Sequence, residues 1–270
     1  MKSTRSQPAA VGPGGARAIL VAAGLGERAG GDVPKQFQRL EGRMLIHYAL
    51  AELAASPLVQ GIVVVVPQGW EDRLGRVLAE AAPGDARGLA GRIDAIVPGG
   101  ATRQESVWCG LEALPSCSHV VVHDAARPFL TRALIARTLT AAQTCGAATA
   151  ALPISETLLR TDARAAAEAR SDPQSFAVQK VDREGVWAAQ TPQAFAVDLL
   201  RQAHLEARRQ GRTGTDDTSL VLALGRRVEF VRGSWWNIKV TTAEDLERAR
   251  WILRARAEGL AAELDGEGDA

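Results

Sequence analysis

The 270-residue chain has no apolar run approaching the roughly 18 to 20 residues that a membrane span requires. Charge of one sign is also missing. A formal net charge of +1 provides no broad basic field for nucleic acid or an anionic membrane surface, so any anion must be held by locally placed cations. Cysteine is scarce: Cys109, Cys117 and Cys145 form an odd set with no Cys-x-x-Cys pair. That pattern argues against a disulfide framework or a zinc site and fits a reducing cytosol. Residues 1–16 are rich in Pro, Gly and Ala but lack the apolar core of a secretory signal. They read as a disordered leader or the remnant of an organelle-targeting segment. No internal repeat is present, and low-complexity sequence is confined to the ends and the Ala163–Ala169 patch. No credible Ser-His-Asp or Cys-His arrangement stands out.

What the chain does have is alternation. Strand-like runs at Ala18–Ala22, Ile62–Val66, Ile93–Val97, His119–Val122, Ala147–Leu152 and Val228–Val231 are separated by longer segments. Apolar residues at three and four spacing predict helices over Leu45–Ala55, Trp70–Ala82, Gln104–Leu114, Arg132–Cys145 and Ala194–Arg209. Runs as apolar as Ile62–Val66 are buried on both faces, as in a mostly parallel sheet. The expectation is an α/β sandwich with ligands at the carboxyl ends of its strands. Residues 155–186 break the pattern with two period-two stretches around a polar tip. They read as an extended hairpin arm, against the alternative of a long surface loop. The chain after Arg250 reads as a helix fraying into a charged tail.

The first run ends in Ala22-Ala23-Gly24-Leu25-Gly26-Glu27-Arg28, with Pro34-Lys35-Gln36 downstream. Small residues there would bring bare backbone N–H groups, plus Arg28 and Lys35, up to phosphate oxygens. It is not a Walker A loop, because the lysine follows a proline. It is not a Rossmann fingerprint either, since Gly30 falls one residue late and the next strand ends in Pro67 rather than an acid. A plain Gly-rich turn with solvated charges is the competing reading.

The other clusters also carry two readings each. Gly99-Gly100-Ala101-Thr102-Arg103-Gln104-Glu105-Ser106 is a capping box at Thr102 and Glu105, or a glycine platform for a nucleoside with Ser106 as hydrogen-bond partner. In His123-Asp124-Ala125-Ala126-Arg127-Pro128, Asp124 supports Mg²⁺ directly or through water, or pairs with Arg127. His123 reads as a packed, hydrogen-bonding histidine. Asp182-Arg183-Glu184-Gly185 and Gln190-Thr191-Pro192-Gln193, flanking Trp187, have the composition of polar turns. Thr215-Asp216-Asp217 caps a following helix or lines the site, and Thr242 caps another. Lys239 in Asn237-Ile238-Lys239 lies in apolar context and needs an anion, internal or substrate.

In order and content, these seven clusters resemble the 2-C-methyl-D-erythritol 4-phosphate cytidylyltransferases over roughly residues 17–255. The resemblance implies a single Rossmann-like nucleotidyltransferase domain, cytoplasmic, and a homodimer clasped by the 155–186 arm. It implies CTP and a polyol phosphate as substrates, with Mg²⁺ bound mainly through the CTP phosphates. Carried over by position, Arg28 and Lys35 stabilise the transition state, and Arg183 and Lys239 hold and orient the acceptor. Ala22, Ala23, Gly24, Gly26, Gly100, Ser106, Asp124 and Ala125 line the nucleotide, and Asp124 faces the metal. Arg127, Thr157, Thr191 and Thr215 surround the acceptor pocket. The chain departs from the family pattern at Glu156 and Leu159 in the arm, and at Trp235-Trp236 before Asn237. The rival readings are a cytidylyltransferase for another polyol phosphate, such as ribitol 5-phosphate, and a non-catalytic nucleotide-binding scaffold.

Overall fold

The computed structural model of the protein describes residues 15–24, 33–80, 89–161 and 177–258. The expected leader up to residue 14, the tail beyond 258, the Ala163–Ala169 patch, and both Gly26 and Arg28 lie outside these residues. Among them, β-branched and alanine-rich runs form a central sheet numbered in chain order. Its strands are β1 (Ala16–Val21), β4 (Val59–Val66), β5 (Ile93–Pro98), β6 (His119–Asp124), β7 (Ala147–Pro153), β10 (Trp187–Ala196) and β11 (Glu229–Arg232). Two short pairs stand apart: β2 (Arg39–Leu40) with β3 (Arg43–Met44), and β8 (Leu158–Thr161) with β9 (Ala177–Val181). The sheet order is β11-β7-β10-β6-β1-β4-β5. Every described pairing within it is parallel except those of β10, which runs antiparallel to both β6 and β7.

Successive residues of a strand face opposite sides. Ala18 and Leu20 of β1, with Ile62, Val64 and Val66 of β4, pack under α1 (Leu45–Ala55), α2 (Glu71–Glu80) and α4 (Arg132–Cys145). Ile19, Val63 and Val65 face α3 (Arg103–Ala113), α5 (Val197–Arg209) and α6 (Asp217–Ala223). Both faces of the central strands are therefore dry. A third cluster joins α7 (Ala243–Ala257), through Ala249 and Ile252, to Leu40, Leu45 and Phe129. At Gly110 of α3 a Cβ would lie 2.7 Å from the Ile19 side chain, so this helix sits closer to β1 than an alanine there would permit.

The sequence leaves Gln190–Gln193 open to an ordinary polar turn and predicts a helix from Ala194. The structure corrects both. Residues 187–196 are one strand, inserted between β6 and β7, and the helix starts at Val197. The register slips between Ala189 and Gln193, and this irregularity admits Pro192 into an interior strand. Within the expected arm, β8 and β9 form an antiparallel pair, and residues 162–176 between them lie outside the described chain.

Candidate active site

From β1 the chain runs to β4 and β5 on one side and later to β6 on the other. An α/β sheet opens a crevice at such a reversal, beyond the carboxyl ends of the strands. A cleft of about 420 Å³ lies there. Ala22, Ala23 and Gly24 extend from β1, Gly100 and Ser106 follow β5, and Asp124 ends β6, and all six line it. Lys35 and Lys239 line it too. They are two of the chain's four lysines, while arginine supplies the other 28 of its 32 cationic side chains.

Local chemistry fixes each wall. The buried Gln36 follows Lys35 on a 3-10 turn and donates from Nε2 to the Ala22 and Gly24 carbonyls, the latter at 2.9 Å. That bond ties the turn carrying Lys35 to the end of β1. Thr102 and Glu105 form the expected capping box at the start of α3, while Gly100 beside it faces the cleft. The two readings of this cluster are thus compatible. Ser106 is 2 % exposed, and its hydroxyl donates back to the Thr102 carbonyl at 2.9 Å.

Lys239 is held in place by its neighbours. Arg127 donates to the Asn237 carbonyl at 2.7 Å, Asn237 Nδ2 to the Thr191 carbonyl at 2.7 Å, and the Val240 N–H to the Ala126 carbonyl at 2.8 Å. The Asn237–Val240 segment is thereby fastened to the loop after β6, and Lys239 Nζ reaches Asp124 Oδ2 at 2.7 Å. The anion that Lys239 needs is internal. Asp124 pairs with Arg103 and Lys239 rather than forming the local bridge to Arg127 considered from sequence. Burial alone would raise the Asp124 pKa, but the Arg103 and Lys239 charges, with Arg127 beyond, hold it well below the carboxylate range.

His123 is fully buried, as its reading as a packed residue requires. The Arg127 carbonyl beside His123 Nε2 can only accept, so Nδ1 is the acceptor of the ring, and the Thr191 hydroxyl, which accepts the Asp124 N–H at 3.1 Å, donates to it at 3.0 Å. His123 Nε2 then carries the ring proton, facing the Arg127 carbonyl at 3.0 Å. Burial pushes the His123 pKa down to about 4, against the pull of that carbonyl.

The structure does not bring every expected residue to this cleft. Ala125 is buried, and its N–H is used by the Val21 carbonyl at 2.9 Å. Thr191 and Arg127 support the wall from behind. Thr157, Arg183 and Thr215 are exposed, and Arg183, at the base of the arm, donates to the Ser155 carbonyl. Sequence reasoning assigned no role to Arg103, which lines the cleft between Asp124 and the buried Asp217, nor to Gln36. The one available signal was their place inside clusters already marked for other members. Of the Asp pair, Asp216 caps α6 through the Ser219 N–H at 2.9 Å. Asp217 instead binds Arg103 and His204.

A resident metal fits poorly. Both Asp124 oxygens are engaged by cations, and among the described residues no group of three His, Cys, Asp or Glu side chains could hold an ion. Any metal at Asp124 would share this carboxylate with Arg103 and Lys239.

Residues 16–255 match the family model IspD, 2-C-methyl-D-erythritol 4-phosphate cytidylyltransferase. The chain belongs to this family. It is 42% identical over 239 residues to the 2-C-methyl-D-erythritol 4-phosphate cytidylyltransferase of Thermotoga neapolitana, covering 88% of this chain and 96% of that one. It is equally 42% identical over 236 residues to the bifunctional enzyme IspD/IspF of Desulforudis audaxviator. That alignment takes in 87% of this chain but only 56% of the relative. Among solved structures, the 2-C-methyl-D-erythritol 4-phosphate cytidylyltransferase of Thermus thermophilus superposes with a TM-score of 0.66 at 36% identity, over 87% of this chain and 98% of that one. The expected mostly parallel α/β nucleotidyltransferase architecture is therefore the family's own. Among the described residues no helix is long and apolar enough to cross a membrane.

Proposed function

We propose that the protein transfers CMP from CTP to 2-C-methyl-D-erythritol 4-phosphate, giving 4-diphosphocytidyl-2-C-methyl-D-erythritol and pyrophosphate. The observation that carries this reading is the cleft at the β1–β6 reversal, where the small residues Ala22–Gly24 and Gly100 share a wall with Lys35 and Lys239. An acceptor phosphate oxygen attacks the α-phosphorus of CTP, and the bond to the bridging oxygen breaks, leaving pyrophosphate with the electron pair. The acceptor phosphate is already ionised at neutral pH, so no general base is needed. Positioning and charge stabilisation supply the catalysis. Lys35, with Arg28 seven residues before it in the sequence, meets the charge developing on the α-phosphoryl oxygens. Lys239 holds the acceptor phosphate. Mg²⁺ enters as part of the substrate, on the CTP phosphates.

We further propose that the protein acts in the cytoplasm as a homodimer whose 155–186 arm carries Arg183 and Thr157 to the partner's cleft. Support comes from exposed apolar side chains: Leu159, 63% exposed on β8 within the arm, and Trp187 and Phe230 outside it, whose rings lie 5.7 Å apart. The free cysteines suit a reducing compartment. Purified protein incubated with CTP, Mg²⁺ and each candidate polyol phosphate, with pyrophosphate release followed, tests the reaction. Turnover is expected with methylerythritol phosphate. Turnover with ribitol 5-phosphate alone, or with neither, would reject the assignment.

A further inference from the structure

We propose that Arg103 is a positioning residue for this reaction: anchored by Asp217, it takes one oxygen of Asp124 so that Lys239 stays effectively cationic toward the acceptor phosphate. The proposal rests on the cytidylyl-transfer reading above. Four elements meet in one chain of contacts. Arg103, the first residue of α3, donates from Nε to Asp124 Oδ1 at 3.0 Å and from Nη1 to Asp217 Oδ2 at 2.8 Å. Asp124, at the end of β6, accepts from Lys239 Nζ on its other oxygen at 2.7 Å. Asp217, at the start of α6 and 1 % exposed, faces His204 Nε2 of α5 with its second oxygen at 2.9 Å.

Without Arg103, Asp124 and Lys239 would form a self-neutralising pair in the cleft. An incoming phosphate would then compete with a full carboxylate charge for the Lys239 ammonium. A guanidinium on the other oxygen divides that charge. Its planar fork suits the role, because two carboxylates held at fixed donors leave it one orientation. Asp217 does not line the cleft, so it fixes the fork from the far side while Arg103, Asp124 and Lys239 face the ligand.

Arg103→Gln is expected to raise KM for the acceptor about 10- to 100-fold, the scale of a charge-assisted contact, with kcat and KM for CTP changing less than about threefold. Arg103→Lys should recover part of the loss. Because Arg103→Gln strands the buried Asp217, the double variant Arg103→Gln/Asp217→Asn provides a second test should the single variant fail to fold. A folded variant with unchanged acceptor KM, or with kcat and both KM values altered alike, overturns the proposal. Wild-type turnover on methylerythritol phosphate tests the underlying reaction separately. An independent readout needs no acceptor. With only four lysines, the ¹³C-methyl resonance of dimethylated Lys239 can be assigned by Lys→Arg replacement. At pH 7 it should shift in Arg103→Gln and in Asp217→Asn, and an unmoved resonance overturns the proposal whatever the substrate.

Discussion

Gly24→Ala separates ligand approach from folding. A Cβ built at Gly24 meets nothing within 4 Å, and the backbone there lies outside the left-handed region that strains side chains. At such a site Gly→Ala stabilises by about 0.4–1 kcal/mol, through loss of unfolded-state freedom. In a chain of this size that is a rise in Tm of about 1–4 °C. The same methyl group would project into the cleft that Gly24 lines. Pushing a phosphate oxygen off the backbone N–H sacrifices a charge-assisted hydrogen bond of about 1.5–3 kcal/mol. KM for CTP should therefore rise about 10- to 150-fold, with KM for the acceptor little changed. Thermal unfolding and steady-state pyrophosphate release at varied CTP measure the two effects separately. A stable variant with wild-type KM for CTP would refute the claim that nucleotide lies against this backbone. A destabilised variant would refute the packing account.

Gly99→Ala should do the opposite: its Cβ would collide with the Ala23 methyl and come within 2.7 Å of Ser106 Oγ. A loss of about 1–3 kcal/mol in denaturant unfolding is expected. Lys35→Ala is expected to lower kcat by about 10²–10³, and pre-steady-state quench-flow should place the loss in the chemical step. Arg183→Ala and Lys239→Ala should each raise KM for the acceptor. If the arm crosses to the partner, an equimolar mixture of the two, refolded together, should regain about a quarter of wild-type activity from mixed dimers with one intact site. No regain would confine both residues to one subunit's site. Stability should fall as pH drops from 6.5 toward 4. There the unfolded state binds a proton that His123, with its pKa near 4, refuses in the fold, at a total cost of about 3 kcal/mol. Asp124 and Asp217, whose pKa values are depressed from 3.8, lose their contribution only below that value, so the two windows separate. His123→Gln should flatten the plot of Tm against pH between 6.5 and 4.

Local signals were legible. The helices over Leu45–Ala55 and Arg132–Cys145 have the limits that apolar spacing predicts, and the caps at Thr102, Asp216 and Thr242 lie where short polar side chains precede a helix. β10 was not legible. Its middle reads Gln-Thr-Pro-Gln, and proline ordinarily excludes an interior strand. What holds the strand there is tertiary: Gln193 Nε2 donates to Asp216 Oδ2 at 2.7 Å, and its Oε1 accepts the Asp217 N–H at 3.2 Å. The role of Arg103 was hidden for a related reason. A capping box explains its neighbours from sequence alone, whereas its partner Asp217 is 114 residues away.

The distribution of cations explains why a nearly neutral protein can hold two phosphorylated substrates. Where one side chain must bridge two fixed carboxylates, the chain uses Arg103, whose fork is locked by both. At two positions on the cleft wall it departs from its strong preference for arginine and places Lys35 and Lys239. An ammonium is a point charge on a flexible stem, able to keep Asp124 and still turn a hydrogen toward an incoming oxygen. A guanidinium at position 239 would be drawn into a bidentate pair with the same carboxylate and held away from the ligand. The choice of lysine at position 239 is therefore a consequence of the carboxylate that the fold has already placed at the end of β6.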